Sequence, residues 1–151
     1  MWSSSSRGLV RAGSHSSSRP ATPRLIDKGR LALRIWVRFV VVRALLTRQP
    51  LPALVGRLGR PARPASRRYS SAFLSRAVNR SLHLGARRPT CLASSLVLFR
   101  LLHEQGDEAE LVIGLPAAAA TKDAHAWVEI GGVDVGPPPG KGTHEAFARY
   151  S

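Results

Sequence analysis

The chain has 151 residues, which suits one domain and leaves little room for a second. Its single cysteine excludes an intramolecular disulfide framework and a Cys-rich zinc site. The net charge of +14 is unevenly placed: residues 1–89 carry 19 Lys and Arg and one acid, whereas residues 90–151 carry four Lys and Arg and eight acids. The sequence therefore joins a strongly basic part to a mildly acidic one, and no apolar stretch approaches the ~20 residues of a membrane-spanning helix.

Residues 1–24 are predicted to be a disordered Arg- and Ser-rich tail. They contain eight Ser, four Arg and no acid, and such a segment buries too little apolar surface to offset the entropy lost on ordering. This composition is typical of an organellar transit peptide. Because no clear amphipathic helix precedes Pro20, we favour an extension that begins at an upstream start codon.

Residues 25–89 are predicted to be a basic helical region of the same domain. Over 25–48, apolar residues recur at helical spacing beside a stripe of arginines, Arg30, Arg34 and Arg38. The arginines either extend into solvent from a helix that packs on the core or bind an anionic partner or membrane surface, and we favour the packed helix. Further along we predict a turn of helix over 53–59, a linker over 60–68 and a second helix over 71–84.

Residues 90–151 hold the clearest elements. A helix is predicted over 91–103, with Thr90 as its N-cap and Gly106 just past its end. Strands are predicted over 110–115, 124–130 and 133–135, with a loop over 116–123 and a hairpin turn at Gly131 and Gly132.

The only cysteine, Cys91, occupies the first position of that helix. Unpaired amide groups and the positive end of the helix dipole stabilise a thiolate there, and they also stabilise an oxyanion that forms when the thiolate attacks a carbonyl. The alternative interpretation is a small buried apolar side chain, which is the usual role of a lone cysteine.

A nucleophilic cysteine needs a base, and His125 is the best candidate. Strand alternation places it on one face with Trp127 and Glu129, and a histidine on a strand that faces the start of a helix suits Cys–His catalysis. Taken alone, such a histidine is more often structural. The other histidines are less suitable. His103 lies about 18 Å along the helix from Cys91. His15 lies in the predicted tail, His83 lies beside a run of basic residues, and His144 follows the prolines, where no element is predicted.

Three blocks of the sequence resemble one family in their order and spacing. They read Thr-Cys-Leu-Ala-Ser-Ser-Leu at 90–96, Ala-Glu-Leu-Val-Ile-Gly at 109–114 and Ala-His-Ala-Trp-Val-Glu at 124–129. Together they resemble the stand-alone transglutaminase-like leader peptidase of lasso peptide biosynthesis, the B-type maturation protein of bacteria. The resemblance extends over roughly 30–140 and is specific over 90–130.

The resemblance implies an α+β fold with a papain/transglutaminase-like core, in which a nucleophile helix packs on a small antiparallel sheet after two or three helices. It implies a cytoplasmic cysteine peptidase without cofactor or metal, with Cys91 as nucleophile and His125 as base. The implied partners are a precursor peptide, a separate small leader-recognition protein and a lasso cyclase. Neither nucleic acid nor a spanning membrane segment is expected, whereas peripheral membrane contact is compatible with the basic helix.

The third catalytic residue departs from the family pattern. The family places an aspartate in a Gly-Asp-Pro-Pro-like segment, and here the segment reads Val-Gly-Pro-Pro-Pro at 135–139, with Pro137 at the acid position. Asp134 is the candidate to orient His125, and Asp123 is the fallback. If neither acid fills the role, a backbone carbonyl or an Asn-like partner must do so.

Two other functions compete with leader removal. The same fold without activity would be a binding module for a precursor or a partner protein, and an acyltransferase or transglutaminase would use the same residues with an amine in place of water. Nucleic-acid binding by the arginines is disfavoured, since no aromatic-interleaved RNA motif or zinc finger accompanies them. We expect residues 25–89 to form a basic docking surface for the leader or its recognition protein.

Overall fold

Four helices lead into four strands. The computed structural model describes residues 25–60, 69–85, 89–116 and 123–151. The elements are α1 (Leu25–Leu46), α2 (Leu51–Leu58), α3 (Ser71–Gly85), α4 (Cys91–Glu104), β1 (Ala109–Pro116), β2 (His125–Ile130), β3 (Val133–Gly136) and β4 (His144–Tyr150). The predicted α+β fold is confirmed. The predicted tail and most of the predicted linker and loop (60–68 and 116–123) lie outside the described residues.

The helices form where sequence periodicity places them, with small differences at their ends. The predicted turn over 53–59 is α2, which begins at Leu51 with Pro50 as its N-cap residue and Pro52 in its first turn. Proline suits these positions because the first amides of a helix have no intrahelical acceptor. The two prolines therefore start a helix as well as end the preceding one.

The strands form one antiparallel sheet in the order β3-β2-β1-β4. The β2–β3 hairpin turns at Gly131 and Gly132, whose φ angles of +56° and +79° suit a tight turn between antiparallel strands. Along β1, the partners on β2 include Leu111 opposite Val128 and Gly114 opposite His125. The start of β2, which carries His125, therefore lies at the end of the sheet where β1 finishes.

The fourth strand is absent from the sequence-based prediction, which has three strands and no assignment for His144. β4 pairs with the free edge of β1, so that His144 lies opposite Pro116. Most of its side chains are exposed, Phe147 by 77%. Since β4 buries little, its sequence lacks the apolar alternation by which the other strands are recognised.

Helix α4 is the centre of the core. Ten of its residues are buried, with α1, α2 and α3 packed on one side of it and β1 and β2 on another. Thr90 caps its start by accepting a hydrogen bond from the Ala93 amide at 3.3 Å, and Gly106 follows its end with a φ of +86°. The predicted cap and stop of this helix are both confirmed.

A buried carboxylate ties α1 to α4. Glu104 is 5% exposed and forms ion pairs with Arg34, Arg38 and Arg100, the last two at 2.7 and 2.8 Å. Buried carboxylates are stable only when they are paired and hydrogen-bonded. Two of the three arginines in the predicted basic stripe thus neutralise an acid of the other half of the chain.

Replacing Glu104 with Gln is expected to lower the free energy of unfolding by about 2 kcal/mol, because three charge-assisted interactions of a buried carboxylate are lost while the partly exposed arginines remain in contact with water. Chemical denaturation followed by circular dichroism measures the loss. Glu108→Gln, a change at an exposed position of the same segment, is the matched control and is expected to stay within about 0.5 kcal/mol of the wild type. Equal stability of the two variants would contradict the importance of the network.

Candidate active site

Cys91 begins α4 at the edge of the sheet. Its thiol is half-buried, and Sγ lies 4.0 Å from the carbonyl oxygen of Ala124, the residue immediately before His125. One turn further along α4, the buried Ser95 hydroxyl donates a 2.8 Å hydrogen bond to the Ala126 carbonyl. These contacts on either side of His125 hold the start of α4 against the start of β2.

Cys91 and His125 line one cleft of about 140 Å³. Helix α3 contributes Asn79 and His83 to its wall, and Ser94 of α4 lies beside the cysteine. The far side is formed by Pro137, Pro138 and Pro139. The structure therefore brings the predicted nucleophile and the predicted base to the same cavity, at the end of a helix that supplies free amide groups.

His125 has a free ring nitrogen. Its Nε2 atom is buried and has no hydrogen-bond partner among the described residues. The pKa of His125 is lowered, first by burial and then by repulsion from His144, whose ring centroid is 5.0 Å away. A hydrogen bond with the backbone of Gly140 and the charge of Asp134 oppose this shift. The lowered pKa thus favours the neutral form of the ring, which can accept a proton.

Asp134 does not hydrogen-bond to His125. Its Oδ1 accepts from the Gly136 amide at 2.7 Å, and its Oδ2 accepts from the Lys141 amide at 2.6 Å. Both oxygens therefore brace the loop that runs from β3 to β4. That loop carries Gly140, whose backbone contacts His125, so Asp134 reaches the histidine through the loop and through its charge.

Glycine is required at the point where this loop touches Asp134. Gly140 has a φ of +63°, and a Cβ atom at this position would collide with the Asp134 carboxylate. Both the backbone conformation and the close approach exclude other residues. The fallback acid, Asp123, is exposed, and no contact of its side chain with His125 is seen.

Trp127 and Glu129 follow His125 on the same face of β2. The Trp127 indole donates a 2.8 Å hydrogen bond to Glu129, and Arg149 of β4 donates another at 2.7 Å. Burial alone would raise the pKa of Glu129, but the bonds from Arg149 and Trp127 outweigh it and the net pKa is lowered. The predicted shared face thus holds a structural ion pair behind His125.

Sequence reasoning missed three residues of the cleft region: Asn79, His83 and His144. His83 was set aside for its neighbouring charges, yet α3 brings it to the cleft, where its Nδ1 lies 2.9 Å from the Asn79 carbonyl oxygen. His144 belongs to the unpredicted β4. Only the packing of α3 and the pairing of β4 bring these residues close, and neither leaves a local signal in the sequence.

No group of three or more His, Cys, Asp or Glu side chains among the described residues is arranged to hold a metal ion. Nor is any helix in that part of the chain both long and apolar enough to cross a membrane.

One comparison with known proteins gives a match. The family model of the transglutaminase-like superfamily matches residues 33–150, which include Cys91, His125 and Asp134 and all four strands. Comparisons with curated proteins and with solved structures gave no match.

Replacing His144 with Gln is expected to raise the pKa of His125, because the repulsion from His144 that lowers this pKa is removed. NMR titration of the His125 Cε1–H signal measures the midpoint directly, without relying on activity. His103→Gln, far from the cleft on α4, is the control and should leave that midpoint in place. A His125 midpoint that is unchanged or lower in His144→Gln would contradict the arrangement.

Proposed function

Because the chain belongs to the transglutaminase-like superfamily, we propose that it is a cysteine peptidase that removes the leader from a ribosomally made lasso precursor peptide. The observation that carries the proposal is the shared cleft of Cys91, at a helix start, and His125, with a free buried Nε2. A nucleophile and a base in one cavity are what peptide cleavage requires. The choice of a lasso precursor as the substrate is supported by the resemblance of the three sequence blocks to the leader peptidase family.

The first half of the reaction forms a thioester. His125 accepts the Cys91 thiol proton, and Sγ attacks the carbonyl carbon at the junction between leader and core. The amide groups at the start of α4 stabilise the resulting oxyanion. The C–N bond then breaks, the protonated His125 gives its proton to the leaving amine, and the core peptide departs with a free N-terminus.

The second half regenerates the enzyme. His125 takes a proton from water, the resulting hydroxide attacks the thioester, and the C–S bond breaks. The thiolate recovers its proton from His125, and the leader leaves with a free carboxyl group. The lowered pKa of His125 favours the neutral ring that each half of the reaction requires at its start.

Asp134 is a positioning residue in this mechanism. It holds Gly140 through the loop between β3 and β4, and Gly140 contacts His125. The Gly140 backbone thus takes the place of an acid bonded directly to the imidazole, and Pro137 occupies the position of the acid in the family pattern.

The partners belong to the same proposal: a precursor peptide, a small leader-recognition protein that delivers it and a lasso cyclase that uses the freed amine, all in the bacterial cytoplasm. A groove of about 310 Å³ between α1 and α3 supports docking of the leader. Lys28, Arg76 and Arg80 lie at its rim over an apolar floor that includes Leu31 and Ile35.

Leader cleavage tests the proposal. The precursor, the recognition protein and this chain, mixed under reducing conditions, are expected to release a leader fragment whose mass corresponds to addition of water at the junction. Cys91→Ala should abolish release, and His125→Gln should reduce it by at least about 10³-fold, since loss of the base leaves only binding and oxyanion stabilisation. His103→Gln is the matched control and should remain active.

Three outcomes would overturn the proposal. No release by the folded wild type would indicate a binding module. A product whose mass shows an added amine would indicate a transferase. Unchanged release after Cys91→Ala would exclude the cysteine as nucleophile.

Replacing Asp134 with Ala is expected to lower kcat and also to raise KM, since the loop that loses two hydrogen bonds both presents Gly140 to His125 and forms one wall of the cleft. The loss should stay well below the roughly 10⁴-fold drop that follows removal of an acid bonded directly to the catalytic imidazole. Steady-state cleavage kinetics separate the two constants. A loss as large as that of Cys91→Ala would instead assign Asp134 a direct role.

A further inference from the structure

The outer face of α1 is an exposed aliphatic stripe. Its members are exposed by 40–71% and are Ile26, Leu33, Val37, Val40 and Val41. At 100° per residue they lie opposite the buried side chains Leu31, Ile35, Phe39 and Val42 of the same helix. From Ile26 to Val41 the stripe is about 22 Å long at 1.5 Å per residue. Apolar residues scattered singly on a surface are ordinary, whereas a continuous stripe of this length marks a contact surface.

The charges around the stripe are positive. Arg30, Arg43 and Arg48 are exposed on or just past α1, and Asp27 is the one acid of the helix. Lys28 lies on the opposite side of the helix, in the groove between α1 and α3. Arg34 and Arg38 contribute less, because they pair with the buried Glu104. The stripe with its three exposed arginines is thus complementary to a surface whose interior is apolar and whose outer layer is anionic.

A second copy of the chain does not provide that complement. Two copies joined through their stripes would place Arg30 and Arg43 of one against the same residues of the other, and α1 carries one acid, Asp27, to separate them. Like charges brought together at an interface cost several kcal/mol. The stripe is also a convex ridge on one helix and not a groove, whereas specific protein interfaces depend on shape complementarity.

We propose that α1 docks this protein on an anionic lipid surface, with the stripe at the boundary between headgroups and acyl chains and Arg30, Arg43 and Arg48 among the headgroups. A basic helix with an apolar face that lies in the plane of the interface binds in this way. The proposal concerns location and is independent of the peptidase activity proposed above.

Vesicle co-sedimentation of the full chain tests it. Binding to phosphatidylglycerol vesicles at low salt is expected, with weak binding to phosphatidylcholine vesicles and release at high salt. The triple variant Leu33→Ser, Val37→Ser, Val40→Ser should lower the partition coefficient at least about tenfold, because these side chains no longer gain from burial in the acyl region. The control Val133→Ser, Phe147→Ser changes exposed apolar residues of the sheet and should bind like the wild type.

A charge-reversal pair separates the stripe from net charge. Arg30→Glu with Arg43→Glu should lower binding at least about 20-fold, since each cation at the membrane surface contributes measurably. Arg57→Glu with Arg60→Glu changes the net charge equally at exposed positions outside α1 and should retain most binding. Equal losses in the two pairs would overturn the assignment to α1. Circular dichroism confirms that each variant is folded.

Three further results would overturn the proposal. The first is a wild type that does not bind phosphatidylglycerol vesicles. The second is a wild-type dimer in light scattering that the triple variant converts to a monomer, which would assign the stripe to a second copy. The third is a triple variant that binds vesicles normally but no longer acts with the recognition protein, which would assign it to a protein partner.

Discussion

The contact between α4 and β2 determines the geometry of the site. The buried Ser95 hydroxyl bonds to the Ala126 carbonyl, and the Cys91 sulfur faces the Ala124 carbonyl one turn earlier. These contacts flank His125 along the strand, so that sliding of the helix along the strand would break both. Residues on a buried helix and a buried strand are held more precisely than residues on loops, and a nucleophile–base pair needs that precision.

The loop between β3 and β4 depends on a different kind of constraint. Three prolines restrict its backbone, and the Asp134 carboxylate bonds to an amide at each end of the proline run. The loop forms one wall of the cleft and presents Gly140 to His125. The Asp134 carboxylate holds the loop by accepting two hydrogen bonds. Pro137, which stands at the acid position of the family pattern, has no side-chain acceptor and cannot do this.

Local sequence patterns were sufficient to predict the helices and strands whose apolar side chains pack along one continuous face in the core. The periodicity of 91–103, the cap at Thr90 and the glycine pair at 131–132 each depend on neighbours in the sequence, and the structure confirms them. His83, His144 and Glu104 contact or face residues that are far away in the chain, and β4 buries too little to leave a pattern. Sequence therefore predicted the helix start and the strand that carry Cys91 and His125, but not the walls around them.

Helix α1 carries large apolar side chains on two opposite faces. Burial alone does not choose between them, since hydrophobic attraction is non-directional. Rotation of α1 by half a turn would bury Leu33 and Val37 but carry Arg34 and Arg38 to the side of the helix away from Glu104. The carboxylate would then lie buried with Arg100 alone. The ion pairs of Glu104 therefore favour the observed rotation of α1 about its own axis, which the apolar side chains of the helix do not determine by themselves.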